Sequence, residues 1–214
     1  MRRYDCADSA ARESGITDAL RAIRDHQLIV LPTDTVYGVG ADAFSPTGID
    51  ALLGAKGRGR DMPVPVLVGN ATALYGLVDL VPQPALDLVD AFWPGALTIV
   101  LKHAPALAWD LGETRGTVAV RMPLHPVALD LLLQTGPLGV SSANRSGAAP
   151  AMTVDEAEDQ LGESVAVYLD GGMAAGQVPS TIVDLTGLRP RLLRAGAVSV
   201  EALRGVLADI EVPG

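Results

Sequence analysis

The chain has 214 residues, 49% of them hydrophobic, with 16 Lys and Arg against 25 Asp and Glu for a net charge of −9. That composition excludes a mainly disordered chain and predicts a single large domain over residues 1–214, with a core over about 16–205. The acidic balance and an aromatic content of 4% exclude a general polyanion-binding surface and a stacked aromatic platform for single strands, and the lone Cys6 excludes an internal disulfide or a cysteine-rich metal site.

A reducing cytoplasm is the compartment such cysteine usage predicts. No apolar stretch follows Met1 as in a signal peptide, and no uncharged run approaches membrane-spanning length, so no membrane contact is expected. In chain order, Thr17 is placed to cap a helix through about residue 25 with Leu20 and Ile23 inward, and the run LIVL at 28–31 reads as a buried strand stopped by Pro32. A helix over 49–54 leads to a Gly/Arg-rich loop at 56–63 and a strand over 64–68, where Pro65 marks an edge or a strand start. Next come a helix over 83–92 and strands over 97–102 and 117–121 that can pair antiparallel across their loop. A helix over 126–134, started by His125, precedes a strand over 138–140 and a helix over 154–161. Strands over 165–169 and 181–185 and a helix over 200–207 close the chain. Helices and strands interleave without strict β-α-β alternation, which predicts the α/β class with a mixed, twisted sheet.

Four polar, Gly-rich segments fall at strand ends, where α/β proteins gather ligands. They are 32–38 (PTDTVYG), 56–60 (KGRGR), 141–147 (SSANRSG), and Ser180 and Thr181 with 194–196 (RAG). The chain holds only two lysines, and Lys56 is followed closely by Arg58 and Arg60. Three cations on a Gly-rich loop read either as an anion site, phosphate being the best match to Lys and the Arg fork, or as a solvated basic loop. The SSAN stretch can aim N–H groups and hydroxyls at an oxyanion or form a turn with a helix cap. Thr33, Asp34, Thr35 and Tyr37 read as a polar pocket wall or as groups satisfying the turn after Pro32. No P-loop, dinucleotide fingerprint, nucleophile elbow or His-Glu-x-x-His motif is present, and His26, His103 and His125 stand in unrelated contexts.

Taken together, these segments resemble the YrdC/TsaC family, the L-threonylcarbamoyladenylate synthases. The matching stretches are LPTDTVYG (31–38), KGR (56–58) with Pro63, WPG (93–95) with Thr98, and VAVRMP (118–123), continuing with SSANRSG, DGG (170–172), STIVD (180–184) and LRAG (193–196). The resemblance implies a twisted, mostly antiparallel α/β sheet with flanking helices and an electropositive concave face. It also implies a nucleotidyltransferase that converts L-threonine, bicarbonate and ATP, with Mg²⁺, into threonylcarbamoyl-AMP and pyrophosphate. A downstream transferase complex would then modify tRNA, with direct tRNA contact possible for this chain.

The family's catalytic set falls on Lys56, Arg58, Ser142 and Asn144. Thr35, Arg121, Ser141 and Ser180 correspond to threonine-binding positions, and Thr117, Ala143 and Arg194 join Lys56, Arg58 and Asn144 on the nucleotide side. The resemblance does not assign the ligands of Mg²⁺. The chain ends soon after the matching stretches, as in the short single-domain form. Such chemistry needs positioning and charge compensation more than a strong base, and the loop 56–63 is the expected lid over a water-poor cleft. Two rivals are a non-catalytic YrdC-like RNA-binding module, disfavoured by the −9 charge, and a carbamoyl-transfer domain of the hydrogenase-maturation type, disfavoured by the single cysteine.

Overall fold

A computed structural model describes residues 1–176 and 178–213. In chain order the elements are β1 (Arg2–Asp5), α1 (Ser9–Arg24), β2 (Leu28–Leu31), β3 (Gly38–Asp42), α2 (Pro46–Lys56), β4 (Val66–Leu67), α3 (Leu74–Leu77), α4 (Gln83–Phe92) and β5 (Leu97–Lys102). They continue with β6 (Thr117–Arg121), α5 (Pro126–Thr135), β7 (Leu138–Ser142), α6 (Val154–Leu161), β8 (Val165–Asp170), β9 (Thr181–Asp184), β10 (Arg191–Arg194) and α7 (Val200–Val206). The ten strands form one sheet in the order β1-β8-β2-β3-β7-β4-β6-β5-β9-β10. Five neighbouring pairs are antiparallel and four parallel, so the sheet is mixed with a narrow antiparallel majority. The expected pairing of 97–102 with 117–121 is present, with Ile99 opposite Val120 and Lys102 opposite Thr117.

Helices cover both faces, and strand alternation divides the core between them. In β2, Leu28 and Val30 pack into the layer that includes α2, α4, α6 and α7, while Ile29 and Leu31 point to the layer of α1 and α5. All four β2 side chains are buried, which explains an apolar run without polar alternation. A fully buried side chain of this size contributes about 2 kcal/mol through removal of apolar surface from water. No helix among the described residues is long and apolar enough to cross a membrane.

One expectation about the elements is corrected and one is narrowed. The first helix starts at Ser9 and is capped by Asp8, whose side chain accepts from Ala11 N; Thr17 lies inside it. Gly15 allows that helix to lie flush on β1, since a Cβ there would come within 2.8 Å of Tyr4 Cβ. Of the two readings of Pro65 the strand start holds and the edge does not: it directly precedes β4, which spans only Val66–Leu67 between β7 and β6, and the Pro65 carbonyl accepts from Val140 N. The strands β1, β3 and β10 were not foreseen from the sequence.

Candidate functional site

Two clusters of cationic and hydroxyl side chains gather around the segment between β2 and β3. The first begins at the end of α2. Ser45 caps that helix by accepting from Gly48 N, and Pro46 stands at its first position, where a missing N–H costs nothing. Gly57, at φ 60°, closes it: Gly57 N donates to Gly54 O and Arg58 N to Leu53 O. This Schellman closure reverses the chain, so that Lys56 and Arg58 both turn toward the end of β7.

Lys56 is therefore a helix residue, 3% exposed, and not part of the loop as expected. Its Nζ donates to Ser142 O at 2.5 Å and to Asn144 O at 2.6 Å, leaving one N–H direction for a ligand. Burial, and then the neighbouring Arg58 charge, pulls its pKa down to about 8. Arg58 is half-buried and donates through Nη1 to Ser141 Oγ at 3.1 Å and through Nη2 to Pro63 O at 3.4 Å, while its Nε is buried without a partner. Arg60 takes no part. It pairs with Asp50 and Asp110 on the outer side, which divides the three cations of 56–60 into two facing the site and one neutralised on the surface.

Asn144 is held by two bonds from its amide, to Arg145 O and Ala148 O, both at 2.8 Å. With both amide protons engaged, its Oδ1 is left as a buried acceptor without a partner. Ser142 contributes its carbonyl to Lys56. Ala143 is fully buried in the core and its N–H is engaged by Tyr37 O, so it offers no side-chain surface to a nucleotide.

The second cluster centres on Arg121 at the end of β6, which is 6% exposed. Its Nη1 donates to Thr35 Oγ1 at 2.9 Å, its Nη2 to Asp34 Oδ1 at 2.6 Å and its Nε to Gly95 O at 2.9 Å. Asp34 Oδ1 also accepts from Leu124 N at 2.9 Å, so that carboxylate oxygen is fixed from two sides. Arg194, at the end of β10, donates through Nε and Nη2 to Ser180 O and through Nη2 to Ser180 Oγ. A Cβ on Gly196 would meet backbone atoms of residues 179–181 within about 2.5 Å, so the chain leaving β10 runs flush against Ser180. Burial, then the Arg121 charge, lowers the pKa of Arg194, which places the two guanidinium groups in one electrostatic neighbourhood.

The segment 33–37 joins the clusters. Thr35 contacts Arg121, and two residues later the Tyr37 carbonyl accepts from Ala143 N. The Tyr37 hydroxyl itself is structural, donating to Gly172 O at 2.5 Å and accepting from Gly171 N at 3.0 Å. Thr117 is four residues from Arg121, about 13 Å along the strand. The register sets Val66 opposite Val120 and Leu67 opposite Arg121, so Thr117 lies toward Pro63, on the Arg58 side. Lys56, Arg58 and Ser141 thus form one half and Thr35, Arg121, Ser180 and Arg194 the other; Ser141, expected among the threonine positions, bonds Arg58, and Arg194, expected on the nucleotide side, bonds Ser180. The two halves hold four cations, with Asp34 paired to Arg121 and Asp61 near Arg58, a local positive excess in a chain of net charge −9.

Sequence reasoning read Thr33 and Asp34 as a pocket wall or as groups satisfying the turn, without their partners, and gave Thr98 no site role although it lies in a quoted motif. Polar residues directly after an apolar strand were the signal for the first two; the partners of all three are set by tertiary contacts. Among the described residues no three His, Cys, Asp or Glu side chains converge as a metal cage.

Known proteins are similar to this chain over most of its length. The Sua5/YciO/YrdC family model, described as "Telomere recombination", matches residues 21–196. A Mycobacterium tuberculosis (strain H37Rv) protein, provisionally named threonylcarbamoyl-AMP synthase, is 57% identical over 204 residues, covering 95% of this chain and 94% of its own. Two Pyrococcus abyssi Sua5 structures superpose closely. One, a variant, has a TM-score of 0.94 at 31% identity and covers 100% of this chain; the other, complexed with L-threonine, has a TM-score of 0.88 at 34% identity and covers 92%. This chain spans 62% and 58% of those two longer chains. A family match running from within α1 to the turn after β10 takes in every side chain of both clusters, and the chain belongs to the Sua5/YciO/YrdC family.

Proposed function

We propose that this chain is an L-threonylcarbamoyl-AMP synthase, joining L-threonine, bicarbonate and ATP with release of pyrophosphate. The observation that carries the reading is the pairing of two different anion cradles. Lys56 and Arg58 beside the 141–144 turn suit a polyphosphate, and Arg121 and Arg194 with Thr35 and Ser180 suit an amino acid carboxylate and hydroxyl. The threonine-bound Sua5 structure and the synthase name of the mycobacterial relative support the same reading.

In this mechanism the threonine amine and bicarbonate condense to a carbamate with loss of water. A carbamate oxygen then attacks the α-phosphorus of ATP, and the bond to the bridging oxygen of pyrophosphate breaks. Arg121, held by Asp34, Thr35 and Gly95, retains donors for the threonine carboxylate, and Lys56 and Arg58 offset charge on the polyphosphate as pyrophosphate departs. Ser141, Ser142, Asn144 and Thr117 complete the nucleotide half, with Ala143 contributing backbone only. The chain's donor set lacks a carboxylate cage among the described residues, which fits Mg²⁺ arriving as part of the MgATP substrate. The product is an activated acyl adenylate, suited to consumption by a transferase acting on tRNA.

Pyrophosphate release from MgATP tests the proposal directly. Release that requires both threonine and bicarbonate is expected. No release from folded protein, or release indifferent to threonine, refutes it.

A further inference from the structure

The direction of the proton on two pocket hydroxyls is set from behind by two buried threonines. Thr33 is 4% exposed; its Oγ1 donates its one proton to Val36 O at 2.6 Å and accepts from Thr35 N at 3.2 Å. A hydroxyl has one donor and two acceptor positions, so the 3.1 Å contact between the Thr33 and Thr35 hydroxyls is donated by Thr35. Thr35 Oγ1 also accepts from Arg121 Nη1, which leaves it one lone pair and no proton.

The opposite arrangement holds at Ser180. Thr98, on β5, is 3% exposed, and among the described residues its hydroxyl has one partner, Ser180 Oγ at 2.8 Å. Donation by Ser180 would bury the Thr98 proton without an acceptor, so Thr98 donates. Ser180 Oγ accepts a second bond from Arg194 Nη2 at 3.0 Å, which fills its lone pairs and leaves its proton.

We infer that Thr33 and Thr98 are positioning residues that make Thr35 a hydrogen-bond acceptor and Ser180 a donor toward the bound amino acid. The inference rests on the threonine site proposed above and specifies its polarity. The ligand carboxylate belongs with Ser180, Arg194 and Arg121, and the ligand hydroxyl proton belongs with Thr35. The reverse placement would set a carboxylate oxygen against the Thr35 lone pair.

Threonine and ATP affinities measured by calorimetry for wild type, Thr98→Val and Thr98→Ser test the Ser180 arm. Thr98→Val is expected to weaken threonine binding about five- to tenfold while ATP binding stays within about twofold, and Thr98→Ser to restore threonine binding to within about twofold of wild type. Equal losses in the two variants, or ATP affinity falling alongside, would indicate a packing effect and overturn the assignment.

For the Thr35 arm the readout is the affinity ratio of threonine to O-methylthreonine, whose ether accepts but cannot donate. Thr33→Val frees the Thr35 proton and should narrow that ratio at least about threefold, because the steric cost of the extra methyl is common to both proteins and cancels. An unchanged ratio overturns this arm. Wild-type protein that binds no threonine overturns the proposed function and this inference with it, whereas wild-type binding with both valine variants unaffected overturns the inference alone.

Discussion

Lys56 is a charge held where water cannot help it, and its titration should control ATP binding. Its ammonium is 3% exposed with a pKa lowered from the usual 10.5 to about 8 by burial and by Arg58. At pH 7 about 90% of unliganded molecules carry the charge, and at pH 9.5 about 3% do. Arg58 and Arg194 stay charged throughout that range, so the loss belongs to Lys56. If the triphosphate needs the charged form, ATP affinity should fall about 30-fold between pH 7 and 9.5, nearly tenfold per pH unit once above 8. Proton uptake on binding should rise from about 0.1 at pH 7 to about 0.9 at pH 9, read by calorimetry in buffers of differing ionisation heat.

Stability runs the other way. The folded-state pKa lies below the unfolded one, so below pH 8 both states are protonated and the folded state bears the whole penalty. Between about 8 and 10.5 only the unfolded chain keeps the proton, and the Lys56 contribution to stability rises by about 3 kcal/mol. Affinity falling while this contribution rises separates Lys56 from general alkaline unfolding, which lowers both. Lys56→Met should bind ATP weakly with a flat pH profile. A flat wild-type profile, or an equal fall in the methionine variant, would refute the reasoning.

Substitutions at two further residues probe the clusters separately. Arg58→Ala should abolish pyrophosphate release with an unfolding free energy within about 0.5 kcal/mol of wild type, because the half-buried guanidinium makes one ordinary bond to Ser141 and a long one to Pro63 while its Nε has none; a large loss in urea denaturation would make Arg58 structural. Asp34→Ala should cost about 3 kcal/mol in the same assay by leaving the Arg121 guanidinium buried without its anion. Asp34→Asn, which keeps an acceptor for Arg121 and Leu124, should lose less than half of that, and equal stability of Asp34→Ala and wild type would sink this account.

Strands and helices built from long apolar runs were legible because their burial leaves a direct pattern, as in β2 and β5. β3 was not, since GVGAD has little strand propensity; it pairs because Gly38 and Gly40 let Val140 approach to distances of 2.7 and 3.1 Å from where a Cβ would stand. β10 was hidden by its arginines, with only Leu192 buried. In the site, the scarcity of lysine and the small-residue turn at 141–144 pointed to Lys56, Arg58 and Asn144, and the family motifs supplied Thr35, Arg121 and Ser180. What could not be read was how they are held. Asp34 acts on Arg121 across 87 positions and Thr98 on Ser180 across 82, and such pairings exist only after the sheet has formed.

The order of the strands also bears on synthesis of the protein. β1 and β2 find their parallel partner only in β8, so the first 31 residues wait for residues 165–170 before their edges are closed. A ribosome-bound chain of 150 residues therefore carries β2, an apolar ribbon with one flank unpaired, and helices α1 and α5 without the complete sheet face they cover. This topology makes closure of the nascent sheet depend on late, non-local pairing, after more than three quarters of the chain has been made.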